Sequence, residues 1–211
     1  MLIRVLVCAA LTAGFVAPLR AQGVVVGSSS DKRKPAATGP DSRSASKEDA
    51  DLLAGAALRG DVESVRALLA KGGDPNARGG LGKTPLRCAT SYACMTAPDK
   101  DVLTIVDLLI ENGANVNEVD DYGHGVLLMA AQKCKAPAIT RLLKAGADVE
   151  QRSPQGYSPL AMALIVKNFD AARALVDHGA RLSRESMAKI FPEPPADPEQ
   201  AALVKRAVAA R

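Results

Sequence analysis

The chain has 211 residues, 47% hydrophobic and 24% charged, with three Phe, three Tyr and no Trp. That balance excludes a fully disordered chain and a multi-span membrane protein, and so few rings exclude a base-stacking nucleic-acid platform. The net charge of +4 belongs to the N-terminal side, because residues 48–211 hold 20 basic and 21 acidic residues and offer no nucleic-acid surface.

Residues 1–21 carry Arg4 and Arg20 and no acid. Residues 5–19 are apolar or small, broken only by Thr12 and Pro18. These 15 residues fall short of the roughly 20 that span a bilayer as a helix. They fit a signal peptide cut after Ala21, with an uncleaved anchor as the alternative. The expectation is a periplasmic or secreted protein, monomeric, with no stable membrane span once the leader is removed. Residues 22–47, with Lys32-Arg33-Lys34-Pro35 and Gly39-Pro40, read as a flexible basic linker. It serves either as a solvated spacer or as a tether to anionic surfaces.

From residue 48 four segments align. Asp51-Leu52-Leu53-Ala54 leads to Leu68-Leu69 and Gly72-Gly73-Asp74-Pro75-Asn76. Thr84-Pro85-Leu86-Arg87 leads to Leu108-Leu109 and Gly113-Ala114-Asn115-Val116-Asn117. Gly125-Val126-Leu127-Leu128 leads to Leu142-Leu143 and Gly146-Ala147-Asp148-Val149-Glu150. Ser158-Pro159-Leu160-Ala161 leads to Leu175-Val176 and Gly179-Ala180. Gly113 to Gly146 and Gly146 to Gly179 are each 33 residues, and so is Gly125 to Ser158. Gly72 to Gly113 and Thr84 to Gly125 are each 41, one period plus an insertion of eight around residues 93–100. Two independent landmarks share one spacing.

At these residues the chain resembles the ankyrin repeat family. The resemblance implies an all-α solenoid of about four helix-turn-helix units, 48–78, 79–119, 120–152 and 153–182, joined by short turns or β-hairpin loops. Small residues such as Ala56-Ala57 and Ala130-Ala131 would let first helices approach closely, and the paired leucines would fill the second helices. The family's His in the start motif Thr-Pro-Leu-His is replaced by Ala54, Arg87, Leu128 and Ala161, which puts turn-to-turn stiffness in question. Gly125-Val126 predicts the softest helix start. Residues 183–211 predict C-terminal capping helices at 183–191 and 198–210, the second N-capped by Asp197 with Pro198 as its first residue. No full fifth unit follows Gly179.

Of the two His, His124 falls in a turn and His178 just before a loop glycine. No nucleophile elbow, phosphate loop or metal-ligand spacing is present, so no catalytic residue, cofactor or metal is assigned, and an enzyme remains the minor alternative. Cys88 reads as a buried free thiol. Cys94 and Cys134 fall ten and nine residues after their helix starts, and the insertion lets Cys94 swing toward Cys134 to form a disulfide. The insertion itself reads as a surface loop, either tolerated or in contact with a partner.

The resemblance implies a non-catalytic protein-binding module of the bacterial envelope that acts through its concave face as an inhibitor, an immunity protein or a protective adaptor. A structural or stress-protective envelope component is the alternative. The expected contacts are Leu81, Lys83, Tyr122, His124, Gln155 and Tyr157 in the turns, and Arg87, Tyr92, Lys133 and Ile165 on the first helices, with Ser91, Leu128 and Ala161 beside them. Tyr122 and Tyr157 are the expected anchors on neighbouring turns.

Overall fold

The computed structural model describes residues 47–79 and 82–209. The leader, the linker up to residue 46 and the expected contact Leu81 lie outside the described residues. The described residues form ten helices, and the strand signal is a single antiparallel bridge between Val119 and Gly125 in the turn of the third unit.

Lys47–Arg59 (α1) packs on Val62–Ala70 (α2). The next helix, α3, has three pieces: Pro85–Cys88, a π-helical turn Ala89–Ala93, and Cys94–Thr96. It is followed by Asp99–Glu111 (α4). Val126–Lys133 (α5) pairs with Ala136–Lys144 (α6), and Pro159–Ile165 (α7) with Phe169–Asp177 (α8). Arg184–Ile190 (α9) and Pro198–Ala209 (α10) end the chain. The first helices α1, α3, α5 and α7 stack in one layer, and the second helices α2, α4, α6 and α8 stack in another.

Side-chain size sets the curvature. Ala56, Ala57, Ala89, Ala93, Ala130, Ala131 and Ala163 are buried in the first layer, where axes can approach closely. Ile105, Leu109, Ile139, Leu142 and Leu175 are buried in the second, where larger side chains hold axes apart. The stack therefore bends with the first helices on the inside. Helix ends follow from local chemistry. Gly72, Gly113, Gly146 and Gly179 all hold φ between +85° and +90° after a second helix, a conformation any Cβ would strain. Asp61, Ser158, Asn168 and Ser183 accept backbone N–H groups at helix starts.

Successive loops are pinned by a side-chain ladder. Asn76 Nδ2 donates to the Gly113 carbonyl (2.9 Å), and its Oδ1 accepts from Asn115 N–H (2.7 Å). Asn117 repeats both bonds to Gly146 O (3.0 Å) and Asp148 N–H (2.7 Å). Glu150 has no donor and repeats only the accepting half, from Arg181 N–H at 2.8 Å.

The turns have their own bracing, and it corrects two expectations. Arg87 is not a surface contact. Its side chain is 2% exposed, with Nη1 donating to the His124 carbonyl (2.7 Å) and Nη2 to Asp120 Oδ2 (2.5 Å). An arginine thus braces the following turn from the position where the resemblance implies His, so stiffness is retained here. Ser91, Leu128 and Ala161 are buried as well and face no partner. At the third unit Gly125 contributes no side-chain cap. A Cβ there would lie 1.8 Å from Gln151 Oε1, so Gln151 fills the space that a Thr would take.

The insertion is not a loop. From helix start to second helix, Thr84 to Asp99 is four residues longer than Gly125 to Ala136, and α4 has 13 residues against nine in α6. Four residues are about one helical turn. An antiparallel pair can return to the same loop only if both members lengthen together, so the eight residues divide evenly between them. The added turn is held on both sides. Toward the first unit, Gly60 (φ +77°) meets Ala97 so closely that a Cβ would lie 2.3 Å from the Ala97 Cβ. Toward the third, Cys94 is bonded to Cys134 with Cα atoms 5.0 Å apart. Cys88 is free and buried, and burial pushes its thiol up to about 11.

The C-terminal segment keeps part of a fifth unit. Gln200 Nε2 donates to Leu164 O (2.9 Å), as Asn168 Nδ2 donates to Ala131 O (3.1 Å) one period earlier. So α10 stands in the register of a second helix and packs on α8. Asp197 caps it, accepting from Glu199 and Gln200 N–H. The hairpin turn is lost, and α9 leans instead on α7 and the fourth turn.

Two outcomes are expected. Arg87→Ala strands Asp120 beside the core and should lower stability in urea unfolding by about 3 kcal/mol. Non-reducing peptide mapping should recover Cys94 linked to Cys134, with Cys88 alkylated only in denaturant. The double replacement Cys94→Ser/Cys134→Ser opens a closure of 40 residues and should remove about 3–4 kcal/mol.

Candidate functional site

The expected contacts separate into three places. Lys83, Tyr92 and Lys133 come together on the inner face. Tyr92 lies near the end of the π-helical part of α3, Lys83 in the turn just before α3, and Lys133 at the last turn of α5. Lys83 Nζ donates to Tyr92 Oη at 2.9 Å and stands 4.6 Å from the ring centre, and Lys133 Nζ stands 5.3 Å from it. Tyr92 is 39% exposed. The Lys83 hydrogen bond, then its charge, holds the Tyr92 hydroxyl below the ordinary tyrosine range. Tyr92 and Lys133 are 41 residues apart and Lys133 and Val166 are 33 apart, so one register row crosses three first helices. Met95 and Val166, both exposed, belong to this face too. Ile165 beside Val166 is half-buried.

Tyr122 and His124 form the second place, the tip and root of the third unit's turn. Tyr122 is 72% exposed, held by its N–H to Asp120 Oδ1 (3.0 Å), with its ring tilted 6.4 Å from His124. His124 is built into the turn. Its N–H donates to Asp120 Oδ1 (2.7 Å), its carbonyl accepts from Arg87, and its Nδ1 lies 3.5 Å from Asp120 Oδ2. Asp120 is therefore the organiser of this turn, holding two N–H groups and a guanidinium.

Gln155 and Tyr157 form the third place, and here the expectation of a free second anchor fails. Tyr157 is half-buried against the core, Lys189 Nζ from α9 covers its ring at 5.1 Å, and the same ammonium donates to Gln155 O at 2.8 Å. Closing the C-terminal end of the stack occupies this tyrosine. Sequence reasoning placed Met95 only within the insertion around residues 93–100 and missed the Lys189 cover; the row spacing of Tyr92, Lys133 and Val166 was the signal available for the former face. Among the described residues, no group of three His, Cys, Asp or Glu converges as a metal site, and no helix is long and apolar enough to cross a membrane.

Known proteins share this architecture. A family model of ankyrin repeats in three copies matches residues 91–186. An ankyrin repeat-containing protein of Treponema pallidum (strain Nichols) is 36% identical over 95 residues, 41% of this chain and 32% of that protein. An ankyrin repeat protein of fowlpox virus (strain NVSL) is 33% identical over 88 residues, 42% of this chain and 13% of that one. The chain thus spans about a third or less of these relatives. Cyclin-dependent kinase inhibitor 2A of Homo sapiens is 32% identical over 140 residues, 64% of this chain and 82% of the human protein. With the 33-residue period, the paired helices and the loop ladder already in place, these matches make the chain a member of the ankyrin repeat family.

Proposed function

We propose that the chain is a non-catalytic module that binds a protein partner through the face formed by its first helices, as a monomer in an envelope or secreted compartment of a bacterium. The observation that carries the reading is Tyr92, a ring left part-exposed mid-stack and held in place by Lys83 and Lys133. A pre-positioned tyrosine presents large contact area with little ordering entropy left to lose. The curved inner layer gives it a surface to work from, and the human relative is, by its name, an inhibitor of another protein. Export is supported by the apolar run at residues 5–19 behind Arg4, and by a Cys94–Cys134 pairing suited to an oxidising compartment. Inhibitor, immunity protein and protective adaptor all use such a face, and the identity of the captured protein separates them.

Photocrosslinking amino acids at positions 92 and 122, and at Thr140 on the second-helix side, test the reading in the native host. Crosslinks to one protein from 92, stronger than from 140, are expected. With that protein in hand, Tyr92→Ala should weaken binding roughly 30-fold. Its thermal midpoint should hold, since an exposed ring contributes within about 0.5 kcal/mol to folding. Equal crosslinking from 140, or full affinity in Tyr92→Ala, places the partner elsewhere.

A further inference from the structure

The acids of the second and third turns are already engaged. Asp120 takes Arg87, while Arg78 Nη1 pairs with Asp121 (2.8 Å) and Arg78 Nη2 with Glu118 (3.1 Å). Asp99 pairs with Lys135 at the far end of the added turn. Among the described residues, Lys83 and Lys133 form no salt bridge; both ammoniums face Tyr92 instead. Exposed Arg59 stands 33 residues before Tyr92, one period back in the same row. Lys83, Lys133 and Arg59 thus place three cations along one stretch of the inner face.

The groups around Tyr92 have a direction. Its oxygen accepts from Lys83, which leaves its O–H free to donate outward. Met95, three residues on and 66% exposed, supplies apolar surface beside it. The cysteine pair joins Cys94, between Tyr92 and Met95, to Cys134, the neighbour of Lys133. The bridge thus ties the helix carrying the ring to the helix carrying the second ammonium, and fixes their separation before any partner arrives.

We propose that Lys83, Tyr92 and Lys133 receive an Asp or Glu carboxylate of the partner, with an apolar side chain of the same segment on Met95. This rests on the protein-binding reading above and names its chemistry. The carboxylate accepts the Tyr92 O–H and an ammonium proton together, the charge-assisted pairing that unpartnered lysines favour. The ammoniums act as point charges and need no planar fork opposite them, so one carboxylate oxygen can take an ammonium while the other takes the Tyr92 O–H.

A random-peptide phage library panned on the full-length oxidised protein tests this, with dye-labelled copies of the recovered peptides measured by fluorescence anisotropy. The expected peptides share an Asp or Glu next to an apolar residue. Their affinity should fall roughly tenfold in Lys83→Ala/Lys133→Ala, less in Tyr92→Phe, and further as salt is raised. Lys83 and Lys133 are half-buried and Tyr92 is exposed, and an unaltered urea midpoint confirms that both variants remain folded. Peptides without a shared acid, or acidic peptides that bind Lys83→Ala/Lys133→Ala equally well, overturn the carboxylate site. So does the recovery of no peptide at all. A protein crosslinked from position 92 would still uphold the broader reading after any of these results, and the absence of that crosslink would remove both.

Discussion

Every loop in this stack carries backbone groups that its own unit does not satisfy. Asn76 and Asn117 each meet one carbonyl and one N–H of the following loop, so a single amide side chain closes both open valences at once. The helices depend on this. Each is short, most under ten residues, and helices of that length are marginal in water on their own. Their stability comes from burial against the neighbouring unit, which requires each loop to deliver the next pair of helices at the right height and angle. The amide ladder sets that height. The Arg87 bridge to Asp120 and the His124 carbonyl does the same for the turns.

The second unit shows how the repeat absorbs an insertion. Eight extra residues would break the register if they entered one helix or one connection. Divided as one turn per helix, they leave the loop glycine at Gly113 in phase, and the excess projects at a single end. The π-helical turn Ala89–Ala93 belongs to the same solution, because its widened hydrogen bonding rotates the residues beyond it. That rotation, with the added turn, brings Cys94 within bonding distance of Cys134 and leaves Tyr92 and Met95 exposed on the inner face. The same device that accommodates the insertion also presents the candidate contact surface.

Charge distribution follows from the bracing. Each arginine committed to a turn consumes acids, as Arg78 does with Asp121 and Glu118 and Arg87 with Asp120. What remains beside Tyr92 is lysine, whose compact ammonium needs no planar partner. The C-terminal end uses its cation differently: Lys189 seals Tyr157 and the Gln155 carbonyl beneath α9, so a tyrosine at a turn position becomes part of the closure.

The architecture was legible in the sequence because it is written in local terms. Loop glycines at φ near +85° admit almost no other residue, alanines mark close helix approach, and both recur at fixed spacing. The C-terminal cap at Asp197 and Pro198 and the free Cys88 are similarly local. The fate of individual polar side chains was not legible. Arg87, Tyr92 and Tyr157 occupy positions that a repeat pattern marks alike as variable, yet one is buried, one is part-exposed between lysines and one is covered. The difference lies in what the neighbouring unit brings opposite each: Asp120 for Arg87, Lys133 for Tyr92, Lys189 for Tyr157. Those partners are 33, 41 and 32 residues away, and only the stacking of one unit on the next makes them neighbours.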